Sequence, residues 1–122
     1  MNVYDHAHAL ARAIRQSSEL RQYREALEKL NSDETARKML QDFRDMQMQI
    51  QNKKMQNQEV PPEEEEKFNR LSEIVNMNQT VKDYLEKEYR LSIMMRDVQR
   101  IIGEVVEKEI GGEEDKEPSE ED

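Results

Sequence analysis

Glycine and proline interrupt helices, and this chain holds them at a few points only. Its three glycines and three prolines fall at Pro61-Pro62, Gly103, Gly111-Gly112 and Pro118. From Met1 to Val60 neither residue occurs. That stretch is instead rich in Glu, Lys, Arg, Gln, Met and Leu, all good helix formers. The diproline ends a helix and places Pro62 well for the first turn of the next. The chain is therefore read as all-α, with long antiparallel helices in a bundle, and apolar spacing locates them.

Val3, Ala7, Leu10 and Ile14 share one helix face, which predicts a first helix from just after Asn2 to about Gln16. Ser17 and Ser18 offer a cap for a second segment, striped by Leu20, Tyr23, Leu27 and Leu30. Asn31-Ser32-Asp33-Glu34 marks the next boundary. Ser32 is suited to accept from an orphan backbone N–H there, and Asp33 and Glu34 suit a positive helix end. The third segment carries Ala36, Met39, Leu40, Phe43, Met46 and Ile50, and is expected to reach about Asn57. Met46 to Gln51 alternates with period two, as a strand would, but six residues do not override the helical run around them. A fourth helix opens at Pro62, loaded with Glu63 to Glu66, and bears Phe68, Leu71 and Val75. After a break at Asn76-Met77-Asn78, a last helix is expected over 79–109. The span 1–110 reads as a single helical domain, and 111–122 as an acidic disordered tail.

A faint echo runs at an offset of 45 residues: Glu28, Asn31, Thr35 and Leu40 are repeated by Glu73, Asn76, Thr80 and Leu85. Each copy reads as short helix, tight break, long helix.

Helix length bears on assembly. Residues 79–109 would span about 46 Å at ~1.5 Å per residue. A compact globule of this size has a radius of gyration of about 14 Å. The apolar stripe runs to the end of the last helix, so a second copy of the chain is expected to cover it. The candidate core and dimer stripe is Phe43, Met46, Ile50, Val81, Leu85, Leu91, Met95, Val98, Ile102 and Val105.

Composition removes several chemistries. No cysteine is present, so disulfides, thiolate metal sites and cysteine nucleophiles are excluded. His6 and His8 are two residues apart and point to different helix faces, unlike a metal pair at i, i+4. Glu-x-x-His of di-iron bundles is absent, and no glycine-rich phosphate loop exists. No catalytic, cofactor or metal site is expected. No apolar run approaches the ~20 residues that span a bilayer. The N-terminus has no basic n-region or apolar h-region, so a cytoplasmic protein is expected. Residues 1–110 carry 18 basic and 21 acidic side chains, and residues 111–122 carry one lysine and seven acids. That balance disfavours nucleic acid as a direct partner.

Val3-Tyr4-Asp5 with Ala7, Leu10 and Ala11, Ile14-Arg15-Gln16-Ser17 leading to Tyr23, Asp42-Phe43-Arg44, the Gln-rich stretch to Gln58, Leu71, Asn76-Met77-Asn78, Val81 and Tyr84-Leu85 resemble the YlbF/YmcA family. The likeness is to its YheA-type branch, grouped as UPF0342, and covers nearly all of 1–110. The resemblance implies an all-α fold in a dimeric or higher assembly. It also implies a non-catalytic role in complexes that modulate RNase Y-dependent RNA processing. Iron–sulfur clusters held by cysteines in those complexes do not carry over to a chain without cysteine. The expectation is a non-enzymatic regulatory adaptor acting through protein–protein contact as a homodimer, with RNA-decay machinery as the implied partner. The alternatives are direct RNA or small-ligand binding in a helical groove, and purely structural self-assembly.

Overall fold

The computed structural model describes residues 1–111 and contains five α-helices. They are α1 (Val3–Arg15), α2 (Ser18–Ser32), α3 (Glu34–Met55), α4 (Pro62–Met77) and α5 (Gln79–Val106), and a π-helical turn over Glu107–Gly111 follows. No strand occurs among the described residues. The tail expected over 111–122 lies, from residue 112 onward, outside them.

Each helix start is held by local chemistry. Asn2 and Asp5 cap each other's backbone N–H at the head of α1. Ser17 accepts from the Leu20 N–H at 3.2 Å and donates its hydroxyl to the Ile14 carbonyl at 2.7 Å, so one side chain closes α1 and opens α2. Pro62 is the first residue of α4, followed by Glu63, Glu64 and Glu65 in its first turn.

The α2–α3 boundary corrects one expectation. Ser32 donates back to the Glu28 carbonyl at 2.9 Å and stays inside α2. Asp33 is the cap, accepting from the Ala36 N–H at 3.0 Å. The backbone turns extended at residue 33, so the Asp33 side chain, not that of Ser32, meets the first turn of α3. Asn78 does the same work between α4 and α5, accepting from the Val81 N–H at 3.0 Å. Asp33 and Asn78 stand 45 residues apart, both extended, at φ −113°, ψ 97° and φ −85°, ψ 110°. The echo in sequence is thus a repeated junction in structure.

The end of α3 is a second correction. The helix stops at Met55 because Asn57 turns left-handed, at φ 58°. The Gln58 N–H reaches the Lys53 carbonyl at 2.8 Å and the Asn57 N–H reaches the Lys54 carbonyl at 3.2 Å. This is a Schellman closure with asparagine in the place glycine commonly takes. Asn tolerates that conformation better than other residues with a side chain.

By contact the chain falls into two units, Met1–Glu88 and the part from Tyr89 onward. In the first, Ala26 and Leu30 of α2, Ala36 and Leu40 of α3, Val75 of α4, and Val81 and Tyr84 of α5 form one buried cluster. Tyr23, Leu27, Met39, Phe43, Leu71 and Leu85 pack around it. Ala36 and Val81, held by the two equivalent caps, are both fully buried. The caps therefore set which residue of each new helix enters the core. Helices α3 and α4 run antiparallel, joined by an ion pair of Lys53 with Glu64 and a stack of Phe43 on Phe68 at 5.3 Å. Helix α1 buries no residue, and Val3 and Tyr4 are exposed.

The second unit, as far as it is described, is the rest of α5 and the π turn. None of its residues is buried. Arg100 pairs with Asp97 and Glu104 along the helix, at 3.8 and 3.1 Å.

Candidate protein-interaction surface

The stripe expected from sequence divides by exposure. Val81 and Ile50 are buried. Phe43, Met46 and Leu85 are half-buried in the first unit. Leu91, Met95 and Val98 are half-buried in the second, and Ile102 and Val105 are exposed. Exposure thus rises along α5 while apolar character does not fall. Ile101, Ile102, Val105 and Val106 are each between 53% and 62% exposed. Scattered exposed apolar side chains are ordinary, but these adjoin one another on consecutive turns.

The first unit also holds a polar network. Tyr84 of α5 is buried, and its hydroxyl donates to Glu88 Oε2 at 3.0 Å. Tyr84 has one proton to give, so the Tyr23 hydroxyl, 3.3 Å away, donates to the Tyr84 oxygen. Arg44 of α3 donates to Glu88 Oε1 at 2.6 Å and stands 5.8 Å from the Tyr84 ring centre. Burial, then the bonds to Tyr23 and Glu88, push the Tyr84 hydroxyl above the usual tyrosine range. The bond to Glu88 raises the Arg44 guanidinium, outweighing its partial burial. The network ties α2, α3 and α5 together and offers no unsatisfied group for chemistry. Among the described residues no buried side-chain polar atom lacks a partner.

Sequence reasoning did not find this network. Tyr84 and Glu88 are readable as an i, i+4 pair, and Tyr23 lies on a helix stripe. Arg44 meets Glu88 across 44 residues, and no local spacing announces that.

His6 and His8 are exposed on α1, and no group of three or more metal-ligating side chains occurs among the described residues. The groove lined by Glu25, Glu28, Lys29, Ser32, Asp33 and Thr80 is acidic in balance. No helix among the described residues is long and apolar enough to cross a membrane. The apolar face of α5 places four exposed apolar side chains, Ile101, Ile102, Val105 and Val106, on consecutive turns.

Comparison with known proteins agrees with the architecture. Residues 3–107 match the family model described as control of competence regulator ComK, YlbF/YmcA. A UPF0342 protein of Halothermothrix orenii is 41% identical over 102 residues, covering 84% of this chain and 86% of that protein. A UPF0342 protein of Symbiobacterium thermophilum is 37% identical over 108 residues, covering 88% and 96%. Among solved structures, a protein of unknown function (DUF964) from Bacillus stearothermophilus superposes with a TM-score of 0.70 at 28% identity, covering 87% of this chain and 93% of that one. Bacillus subtilis RicA, solved in complex with RicF, has the same fold at a TM-score of 0.63 and 23% identity, covering 88% and 96%. A match that spans all five helices, with relatives similar over nearly their full length, places this chain in the YlbF/YmcA family, among its UPF0342 proteins.

Proposed function

We propose that this protein is a non-enzymatic, cytoplasmic helical adaptor that works by protein–protein contact, is itself a homodimer, and regulates RNA processing. The observation that carries the reading is the run of exposed apolar residues on the second half of α5, Ile101, Ile102, Val105 and Val106. Leaving such a face in water is costly, and covering it with protein is the usual remedy. The family's description as control of the competence regulator ComK and the solved RicA–RicF complex of a structural neighbour support a partner-binding role. The Tyr84 network and the two helix junctions tie the helices of the first unit together, which suits a scaffold.

The test is affinity capture of the tagged protein from its native cytosol, with and without ribonuclease, beside the Ile102→Asp variant. The expected result is RNA-decay proteins retained after ribonuclease and lost with Ile102→Asp, whose far-UV circular dichroism is unchanged. Recovery of the same proteins by the variant refutes any dependence of partner capture on this face, including capture through a homodimer built on it. Loss on ribonuclease treatment refutes direct protein contact.

A further inference from the structure

We propose that the second half of α5 pairs with the same segment of a second copy, and that the two helices run antiparallel with their crossing near Val98. The proposal rests on the homodimer reading above and adds the surface and the direction.

The surface follows from spacing and exposure. Leu91, Met95, Val98, Ile102 and Val105 recur at steps of 4, 3, 4 and 3, one continuous helix face. Val98 is the midpoint of that run. Met94 and Ile101 supply the positions that the reversed run requires. The stripe therefore matches itself when a second helix is laid across it about Val98. Spacing alone permits a parallel pair equally well.

Charge selects the direction. Before Val98 the unit carries Arg90 and Arg96 against Asp97. After it stand Glu104, Glu107 and Glu109 against Arg100 and Lys108. Residues 112–122 then add seven acids and one lysine. An antiparallel pair sets the basic half of one helix on the acidic half of the other. A parallel pair sets acid on acid and brings two strongly negative C-terminal segments side by side. Gly111 lies 13 residues beyond Val98, so in the antiparallel pair the two helix ends are about 40 Å apart. That is several Debye lengths at physiological salt, and the repulsion between them is screened out. Residues 112–122 are mostly charged and bring no large apolar side chain to the stripe.

The absence of cysteine makes direction directly measurable. Leu91→Cys, Val98→Cys and Val105→Cys are made singly in the full chain, and native helicity is verified by circular dichroism. Each is treated with a bis-maleimide much shorter than the ~21 Å along the helix between positions 91 and 105. The expected result is covalent dimer from Val98→Cys alone, and none from Leu91→Cys or Val105→Cys alone. Leu91→Cys and Val105→Cys refolded together should then give the covalent heterodimer. Covalent dimer from Leu91→Cys alone and Val105→Cys alone, as efficient as from Val98→Cys, overturns the antiparallel direction. No covalent dimer from any of the three, while sedimentation shows the cysteine-free protein to be a dimer, overturns the α5 surface and leaves the homodimer reading standing. A monomer by sedimentation at about 100 µM overturns both.

Discussion

Val81 and Ile102 lie on the same helix, 21 residues apart, and truncating each should give opposite kinds of result. Val81 is fully buried in the first unit. Val81→Ala removes two buried carbons, about 1.6 kcal/mol of transfer free energy at ~0.8 kcal/mol each. The space left in the buried cluster adds about 1 kcal/mol where the neighbours do not collapse into it. The sum, about 2.5 kcal/mol, lowers Tm by ~10–20 °C in a unit of this size. That loss should be independent of protein concentration beyond the dependence the wild type itself shows. Ile102 is 53% exposed. Within one chain, Ile102→Ala gives up about 1 kcal/mol of remaining burial and regains a few tenths through the better helix propensity of alanine. The net is about 0.5 kcal/mol. If Ile102 is covered by a second copy, the loss is larger, appears twice per dimer, and depends on mass action. Thermal melts by far-UV circular dichroism at about 2 and 200 µM separate the cases. Wild type and Val81→Ala should both melt higher at the higher concentration, by a similar interval. Ile102→Ala should melt at nearly one temperature at both. An Ile102→Ala loss as large as that of Val81→Ala, with the wild-type concentration dependence kept, refutes the argument and puts Ile102 in the protomer's own core.

Further outcomes follow from single features. Asp33→Ala and Asn78→Ala each remove a helix cap and should cost about 1 kcal/mol, whereas Asp33→Asn and Asn78→Asp should be nearly neutral in urea unfolding. Tyr84 ionises later when folded than the ~10 of an unfolded tyrosine, so its contribution is intact below about pH 10 and is lost as pH rises through the folded value. The excess stability of wild type over Tyr84→Phe should therefore shrink above about pH 10, by at most ~1.4 kcal/mol per pH unit; a constant difference up to pH 11 counts against the network. A Cβ at Gly103 would meet nothing within 4 Å, so Gly103→Ala should raise helicity and add up to about 1 kcal/mol while leaving self-association unchanged by sedimentation. Deleting residues 112–122 should leave both helicity and the sedimentation coefficient of the assembly essentially intact; dissociation would assign those residues to the interface.

Helix positions were legible because their causes are local. The stripes, the Asn2 cap, Pro62 and the scarcity of glycine all act within a turn or two of the residues that carry them. The choice of Asp33 over Ser32 as cap was not legible, because both side chains can serve and only the backbone at residue 33 decides. Apolar spacing carries the third helix to about Asn57, and the left-handed turn at that residue ends α3 at Met55. The last turn of α5 likewise opens into a π turn at Glu107, which apolar spacing does not encode. For the surface, sequence located the stripe but could not divide it. Val81 and Val105 look alike in the pattern, and what separates them is whether α2, α3 and α4 supply neighbours. The bond from Arg44 to Glu88 depends on how α3 meets α5, so it became visible only once both helices were placed.

The two single-residue junctions have a consequence for how such a chain can change length. At Asp33 and Asn78 one residue ends a helix and caps the next, so no slack exists on either side. Adding one residue there would turn the following helix by about 100°, swinging Leu40 or Tyr84 out of register with its neighbours. Between Met55 and Pro62 the connection is longer and mostly exposed, and a change in its length is absorbed before the next helix begins. Indels, epitope tags and permuted termini should therefore be accepted near Gln58 and Glu59 and rejected at residues 33 and 78. The molecule behaves like two folded rulers joined by a cord: the cord can be cut longer, but the rulers keep their marks.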